Sequence, residues 1–150
     1  MFSAAAWQLE LLRGFLAELG ALAVALNSVC TTSTCPVMRA TDEWLYLCAA
    51  HQPPKECSAI DYQLHTLDNA ASTLTSQQSF PSRVNIPKES ARHFGNIARR
   101  IYRNFAHAYF HHREVFTQFE VLTDLLVEIN IGRTRHNSVQ DLWHSLGNMI

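Results

Sequence analysis

Between Leu9 and Val29 the chain is almost continuously apolar, and Leu12, Phe15, Leu16, Leu19, Leu22, Ala23 and Leu26 return every three or four residues. That period predicts a buried helix over roughly Ala6 to Ser28. Arg13, Gly14, Glu18 and Gly20 interrupt the stretch, which marks a core helix rather than a membrane span. A second apolar stripe, Phe94, Ile97, Ile101, Phe105 and Ala108, predicts the longest later helix, starting near Ser90 and running past Phe105. Helical patterning also covers Ala59 to Thr75, Val115 to Asn130 and Ser138 to Leu146, the last two separated by Ile131-Gly132-Arg133.

The segments between are of another kind. A loop carrying Cys30 and Cys35 follows the first helix. Thr41 reads as a helix N-cap ahead of a short apolar segment, Trp44, Leu45, Leu47 and Cys48. His51-Gln52-Pro53-Pro54-Lys55 reads as a turn, because paired prolines break periodic structure. Short hairpin strands fit around residues 44–58, and Phe80 to Pro87 reads as an extended connector. The expected architecture is mainly α, a helical bundle.

Length and composition narrow the class. The chain has 150 residues, 47% hydrophobic and 17% charged, and a formal net charge of −1. One domain spanning 1–150 with a proper core is expected. Net charge near zero argues against a nucleic-acid polycation. No basic start precedes the apolar stretch, so a secretory signal is not expected and the chain reads as intracellular.

Cys30-x4-Cys35 is answered by His107-x4-His112, two sulfurs and two imidazoles with spacing compatible with tetrahedral zinc. Spacing alone leaves two other readings open. The cysteines can be ordinary buried thiols, or they can form a disulfide with each other. Cys48 and Cys57 stand in apolar or Pro-rich settings that suggest core packing. Glu56, Asp61 and Glu114 are available as general bases, but no His-Glu-x-x-His motif is present. The single His-x-Glu (His112-Arg113-Glu114) has no Pro-Cys-x-x-Cys to complete a deaminase pattern, and four filled ligand positions argue against a zinc hydrolase.

Arg92, Arg99 and Arg103 fall within about 40° of one another on an ideal helix, with Arg100 to one side, opposite the apolar stripe. No carboxylate occurs between Glu89 and Glu114. Guanidinium forks on one face suit phosphate oxygens, so a phosphoserine or phosphothreonine peptide is one reading and a solvated face is the other.

The sequence resembles the Mob (Mps-one-binder) family, and within it the phocein branch. The residues that carry the resemblance are Cys30-x4-Cys35-Pro36, Thr41 to His51, Pro54 to Tyr62, His65 to Asp68, Phe80 to Val84 and, most specifically, Arg99 to Arg113. The blocks Cys48-Ala49-Ala50-His51 and Ala106 to His112 look like phocein rather than the kinase-activating branch. The resemblance runs from about Trp7 to Phe119. Beyond it, the stretch from Glu120 to Asn130 is shorter than the family's, and Ile131 to Ile150 match poorly.

The resemblance implies a helical bundle with a small β-hairpin and one structural Zn²⁺, held by Cys30, Cys35, His107 and His112. It implies a non-catalytic adaptor in a striatin-type phosphatase–kinase complex. Its partners would be a striatin-type scaffold, type-2A phosphatase subunits and a germinal-centre kinase. A coactivator of an NDR-class kinase is the alternative. Arg99, Arg100 and Arg103 match positions that bind phosphopeptides in the kinase-activating branch. A cytoplasmic location, peripheral to endomembranes, follows from the same resemblance. Helix geometry complicates the ligand set: on a straight helix His107 lies about 140° from His112 but about 40° from His111. The motif match therefore requires the helix to bend or end near Tyr109–His111, with His111 as the fallback ligand.

Overall fold

The computed structural model describes the backbone of residues 3–129 and the side chains of residues 3–122. Five helices appear in this range: α1 (Ala4–Leu26), α2 (Ala59–Leu74), α3 (Lys88–Ala91), α4 (His93–His111) and α5 (Arg113–Ile129). The helix expected over Ser138 to Leu146 lies outside the described residues.

Helix α1 is the central element. Ser3 caps it, its hydroxyl accepting from the Ala6 N–H at 3.2 Å. Leu9, Leu12, Phe15, Leu19, Leu22 and Leu26 are fully buried along one face. They pack against α2, α4 and α5. Burial of each such side chain contributes about 1.5–3 kcal/mol before chain entropy is charged against it. A guanidinium also locks α1 to the end of α2, as Arg13 donates to the Leu74 carbonyl at 3.0 Å.

Helix α2 begins at Ser58, whose hydroxyl accepts from the Asp61 N–H at 3.2 Å. It meets α4 through a buried polar link. Asn104 donates to the Thr66 hydroxyl at 3.2 Å, and Thr66 donates to the Tyr62 carbonyl at 2.8 Å. Satisfying these polar groups inside the bundle fixes the register of the two helices.

Three expectations need correction. The long helix from Ser90 is broken at Arg92, leaving the one-turn α3 ahead of α4. Thr41 caps no helix. Its carbonyl accepts from the Trp44 N–H at 3.1 Å while the Ala40 N–H donates to Trp44, so Thr41–Glu43 form the tip of a tight turn. The apolar segment after it alternates: Tyr46 and Cys48 point inward, whereas Trp44 and Leu47 are at least half exposed. The backbone makes two isolated antiparallel bridges, Arg39 with Leu45 around this turn and Cys48 with Lys55 across the loop that follows. Among the described residues these bridges stand where hairpin strands were expected. No helix among the described residues is long and apolar enough to cross a membrane.

Candidate metal centre and arginine face

Cys30 extends the last turn of α1, its N–H donating to the Leu26 carbonyl at 2.8 Å. The four residues that follow fold back on themselves. Thr31 N–H donates to the Thr34 hydroxyl oxygen at 2.9 Å, and Thr34 N–H donates to the Thr31 hydroxyl oxygen at 3.1 Å. The Thr34 hydroxyl in turn donates to the Val29 carbonyl at 2.8 Å. This knot of local bonds turns Cys35 toward Cys30. The Cys35 carbonyl then accepts from the Ala59 N–H at 3.0 Å, tying the loop to the start of α2.

The histidines come from the other end of the sequence. His107 is buried on α4. His112 stands just past the end of that helix, at φ −135° and ψ 49°, between α4 and α5. The helix thus ends at His111, which removes the angular obstacle to bringing His107 and His112 together. Cys30 Sγ lies 3.6 Å from His107 Nε2, and Cys35 Sγ lies 3.4 Å from His112 Nε2. The four donor atoms all lie within 4.8 Å of one another. His111 is exposed and stacks its ring on His107, centroids 4.7 Å apart.

These distances suit a metal. Tetrahedral zinc with bonds of about 2.3 Å to sulfur and about 2.0–2.1 Å to nitrogen places S and N about 3.6 Å apart. The donor set is that of a closed structural site, with no position left for water. The ring of His107 is oriented as a ligand, since its Nδ1–H donates to the Arg39 carbonyl at 2.6 Å and leaves the Nε2 lone pair facing Cys30. Burial pushes the His107 pKa down to about 4, opposed by the Arg39 hydrogen bond, with His111 and His112 pushing the same way as burial. Burial also pushes the Cys30 thiol up to about 12, with Cys35 adding to the shift. The imidazole is therefore neutral, as a ligand must be, while a cation has to displace the thiol protons.

The arginines divide. Arg103 is engaged, donating to the Tyr62 hydroxyl at 3.2 Å and lying over the Tyr46 ring at 4.4 Å. Arg99 donates to the Asn96 side-chain oxygen one turn earlier, at 3.1 Å. Arg100 borders a small cavity of about 30 Å³ together with Cys48, Tyr62, His65 and Asn69. Arg92 is exposed at the α3–α4 junction, off the regular helix that carries the other three. Among the described residues, the ion pairs join Glu10 to Arg13 and Arg83, and none involves these four arginines.

A second donor cluster, Cys48, His51, Cys57 and His65, is one that sequence reasoning misses. Its signal is Cys48-x2-His51 followed by Cys57-x7-His65. The apolar and Pro-rich surroundings of the two cysteines point to core packing instead. Both are buried, yet each faces imidazole nitrogen.

Comparison with known proteins gives consistent matches. The Mob1/phocein family model matches residues 2–127. The match starts before Trp7 and continues past Phe119, into the stretch expected to diverge. The chain is 52% identical over 131 residues to MOB kinase activator-like 4 of Drosophila melanogaster, covering 87% of this chain and 59% of that protein. It is 48% identical over 134 residues to the MOB-like protein phocein of Caenorhabditis elegans, covering 89% and 60%. Identity to the DBF2 kinase activator protein MOB1 of Saccharomyces cerevisiae is 31% over 116 residues, covering 74% and 37%. The chain thus spans about three-fifths of the length of the first two relatives.

Proposed function

The chain belongs to the Mob1/phocein family, and from that premise we propose that it is a non-catalytic adaptor of a striatin-type phosphatase–kinase signalling complex. Residues 1–150 would act as one Mob domain, with 120–150 as its divergent part. The observation that carries the reading is the gap in similarity: 48% identity to a phocein-named relative against 31% to a kinase-activator MOB1. Its partners are a striatin-type scaffold, type-2A phosphatase subunits and a germinal-centre kinase. The adaptor works in the cytoplasm, at the periphery of endomembranes.

Structural zinc bound by Cys30, Cys35, His107 and His112 supports this role. The ion clips the end of α1 to the α4–α5 junction, joining residues 77 positions apart. A cross-link of that span fixes the surface that an adaptor presents. Arg99, Arg100 and Arg103, with Arg92 nearby, serve as a phosphopeptide site. Arg103 is already oriented by Tyr46 and Tyr62, which lowers the entropy lost when it grips an anion.

A second reading is coactivation of an NDR-class kinase, favoured by the kinase-activator name of the 52% identical relative. Affinity purification of the tagged chain from cells, followed by mass spectrometry, separates the two. Recovery of striatin-type and type-2A phosphatase subunits supports the adaptor. Recovery of an NDR-class kinase without them supports the coactivator.

A further inference from the structure

A groove of about 310 Å³ runs between the segment that follows Cys35 and the last turns of α4. Pro36, Val37, Arg39 and Asp42 line it from the loop side, and His111 lines it from the helix. Arg39 brings unused donors to this groove. The Met38 carbonyl accepts from the Tyr46 N–H at 3.0 Å, and the Ala40 N–H donates to the Trp44 carbonyl at 3.1 Å. Arg39 thus holds the non-bonded position of its bridge with Leu45, and its own N–H and C=O face away from that partner. The C=O meets the His107 Nδ1–H of α4, so the N–H is turned to the α4 side as well. Among the described residues no hydrogen bond uses that N–H, and no ion pair uses the guanidinium. The guanidinium Nη1 donates to the Asp42 carbonyl at 3.2 Å, which anchors the half-buried side chain and leaves Nε and Nη2 for a ligand.

We propose that this groove binds a carboxylate side chain from an acidic peptide segment of a partner protein, with Arg39 as the anchor. A planar guanidinium meets a carboxylate as a two-pronged fork and stays charged at any relevant pH. The Arg39 N–H and a ring N–H of the exposed His111, which a neutral imidazole also carries, are further donors along the same groove. Asp42 lines the groove too and is exposed. Its charge decides between anions, because repulsion scales with the charge of the ligand. A dianionic phosphate is repelled about twice as strongly as a carboxylate. The terminal carbonyls of α4 compete little with an anion, since Ala108 accepts from the His112 N–H and Tyr109 accepts from Arg113 Nε.

The groove shares no lining residue with the small cavity that Arg100 borders. Carboxylate binding at Arg39 therefore needs nothing from the arginine face. The two regions follow one another along α4, and the rise from Arg103 to His111 is about 12 Å. An extended segment of about four residues covers that span. Pro36 and Val37 add apolar surface beside Arg39, which suits the methylenes of a glutamate and the backbone of a peptide. A peptide uses the length of the groove, whereas a small free carboxylate uses only the anchor.

An NMR titration of the purified, zinc-supplemented full chain tests the proposal. The probe is acetyl-pentaglutamate amide, and the comparison probes are acetyl-pentaglutamine amide, inorganic phosphate and glutarate. Pentaglutamate should give saturable shifts at the Arg39 backbone N–H and Nε–H, and pentaglutamine none. Phosphate and glutarate at equal concentration should shift Arg39 less. Arg39→Gln should weaken pentaglutamate binding about tenfold or more, the loss expected for a charge-assisted pair. Its zinc content should match the wild type, because the backbone carbonyl that His107 uses is kept. Absence of a saturable shift at Arg39, or undiminished binding in Arg39→Gln, overturns the proposal. Shifts confined to Arg99, Arg100 and Arg103 also overturn it, since the peptide then sits on the arginine face. A phosphate or glutarate response equal to that of pentaglutamate overturns the assignment to an acidic peptide. Should Arg39→Gln fail to fold, the wild-type shifts decide: their presence at Arg39 supports the site, and their absence removes it.

Discussion

His107 and Arg39 are joined by a hydrogen bond of 2.6 Å from the imidazole Nδ1–H to the backbone carbonyl. This contact spans 68 positions of sequence and fixes both the ring angle and the tautomer. It presents Nε2 to Cys30 at 3.6 Å. The first prediction follows from it. His107→Ala and Cys30→Ser should each lose the zinc of this centre and melt at lower temperature than the wild type, because metal binding and folding are linked. Elemental analysis and thermal unfolding monitored by circular dichroism check both effects. Wild-type zinc content and melting temperature in either variant would count against the site.

The choice between neighbouring histidines is open to direct test. His112 Nε2 lies 3.4 Å from Cys35 Sγ, whereas the exposed His111 ring stacks on His107. His112→Ala should lose the ion, and His111→Ala should keep it. The reverse pattern, read by zinc analysis, would make His111 the ligand.

A third prediction concerns phosphate recognition. Arg100→Ala should weaken a phosphothreonine peptide from a partner kinase or scaffold about tenfold, since a charge-assisted hydrogen bond contributes about 1.5–3 kcal/mol. Folding should be little changed, because Arg100 is half-exposed. Fluorescence titration of phosphorylated and unphosphorylated peptides reads this out. Equal affinities for the two peptides would leave the arginines as a solvated or scaffold-contacting face.

Helix α1 carries two glycines in its interior, and an added Cβ at Gly14 or Gly20 meets no heavy atom within 4 Å. Gly20→Ala should therefore stabilise the fold by about 0.5–1 kcal/mol. A rise in melting temperature of about 2–4 °C per kcal/mol would register it. A fall would show that the glycine serves a contact beyond the helix itself.

Much of the bundle was legible because its apolar spacing is regular. Leu12, Phe15, Leu19, Leu22 and Leu26 announce α1, and Phe94, Ile97, Ile101 and Phe105 announce α4; all of them are buried. Boundaries were less legible. Ser3 starts α1 earlier than the apolar run does, and Arg92 breaks a helix that periodicity carries straight through. Thr41 misled because the same residue types favour helix caps and tight turns. The cysteine and histidine pairs could be read from spacing, but their convergence depends on His112 leaving the helix. Helical periodicity cannot show that. The Cys48, His51, Cys57 and His65 cluster was hidden by irregular spacing, since its donors meet through a loop closed by the Cys48–Lys55 bridge.

The central claim is that this chain is an adaptor that binds a striatin-type scaffold. Its most direct test is reconstitution from purified components, with the zinc-loaded chain mixed with a striatin-type scaffold and the type-2A phosphatase core. Size-exclusion chromatography coupled to light scattering measures the mass of what forms. The account predicts one complex containing the chain in fixed stoichiometry, and loss of the chain from that complex in Cys30→Ser. Elution of the wild-type chain separately from scaffold and phosphatase, together with stable binding to a purified NDR-class kinase, would contradict it.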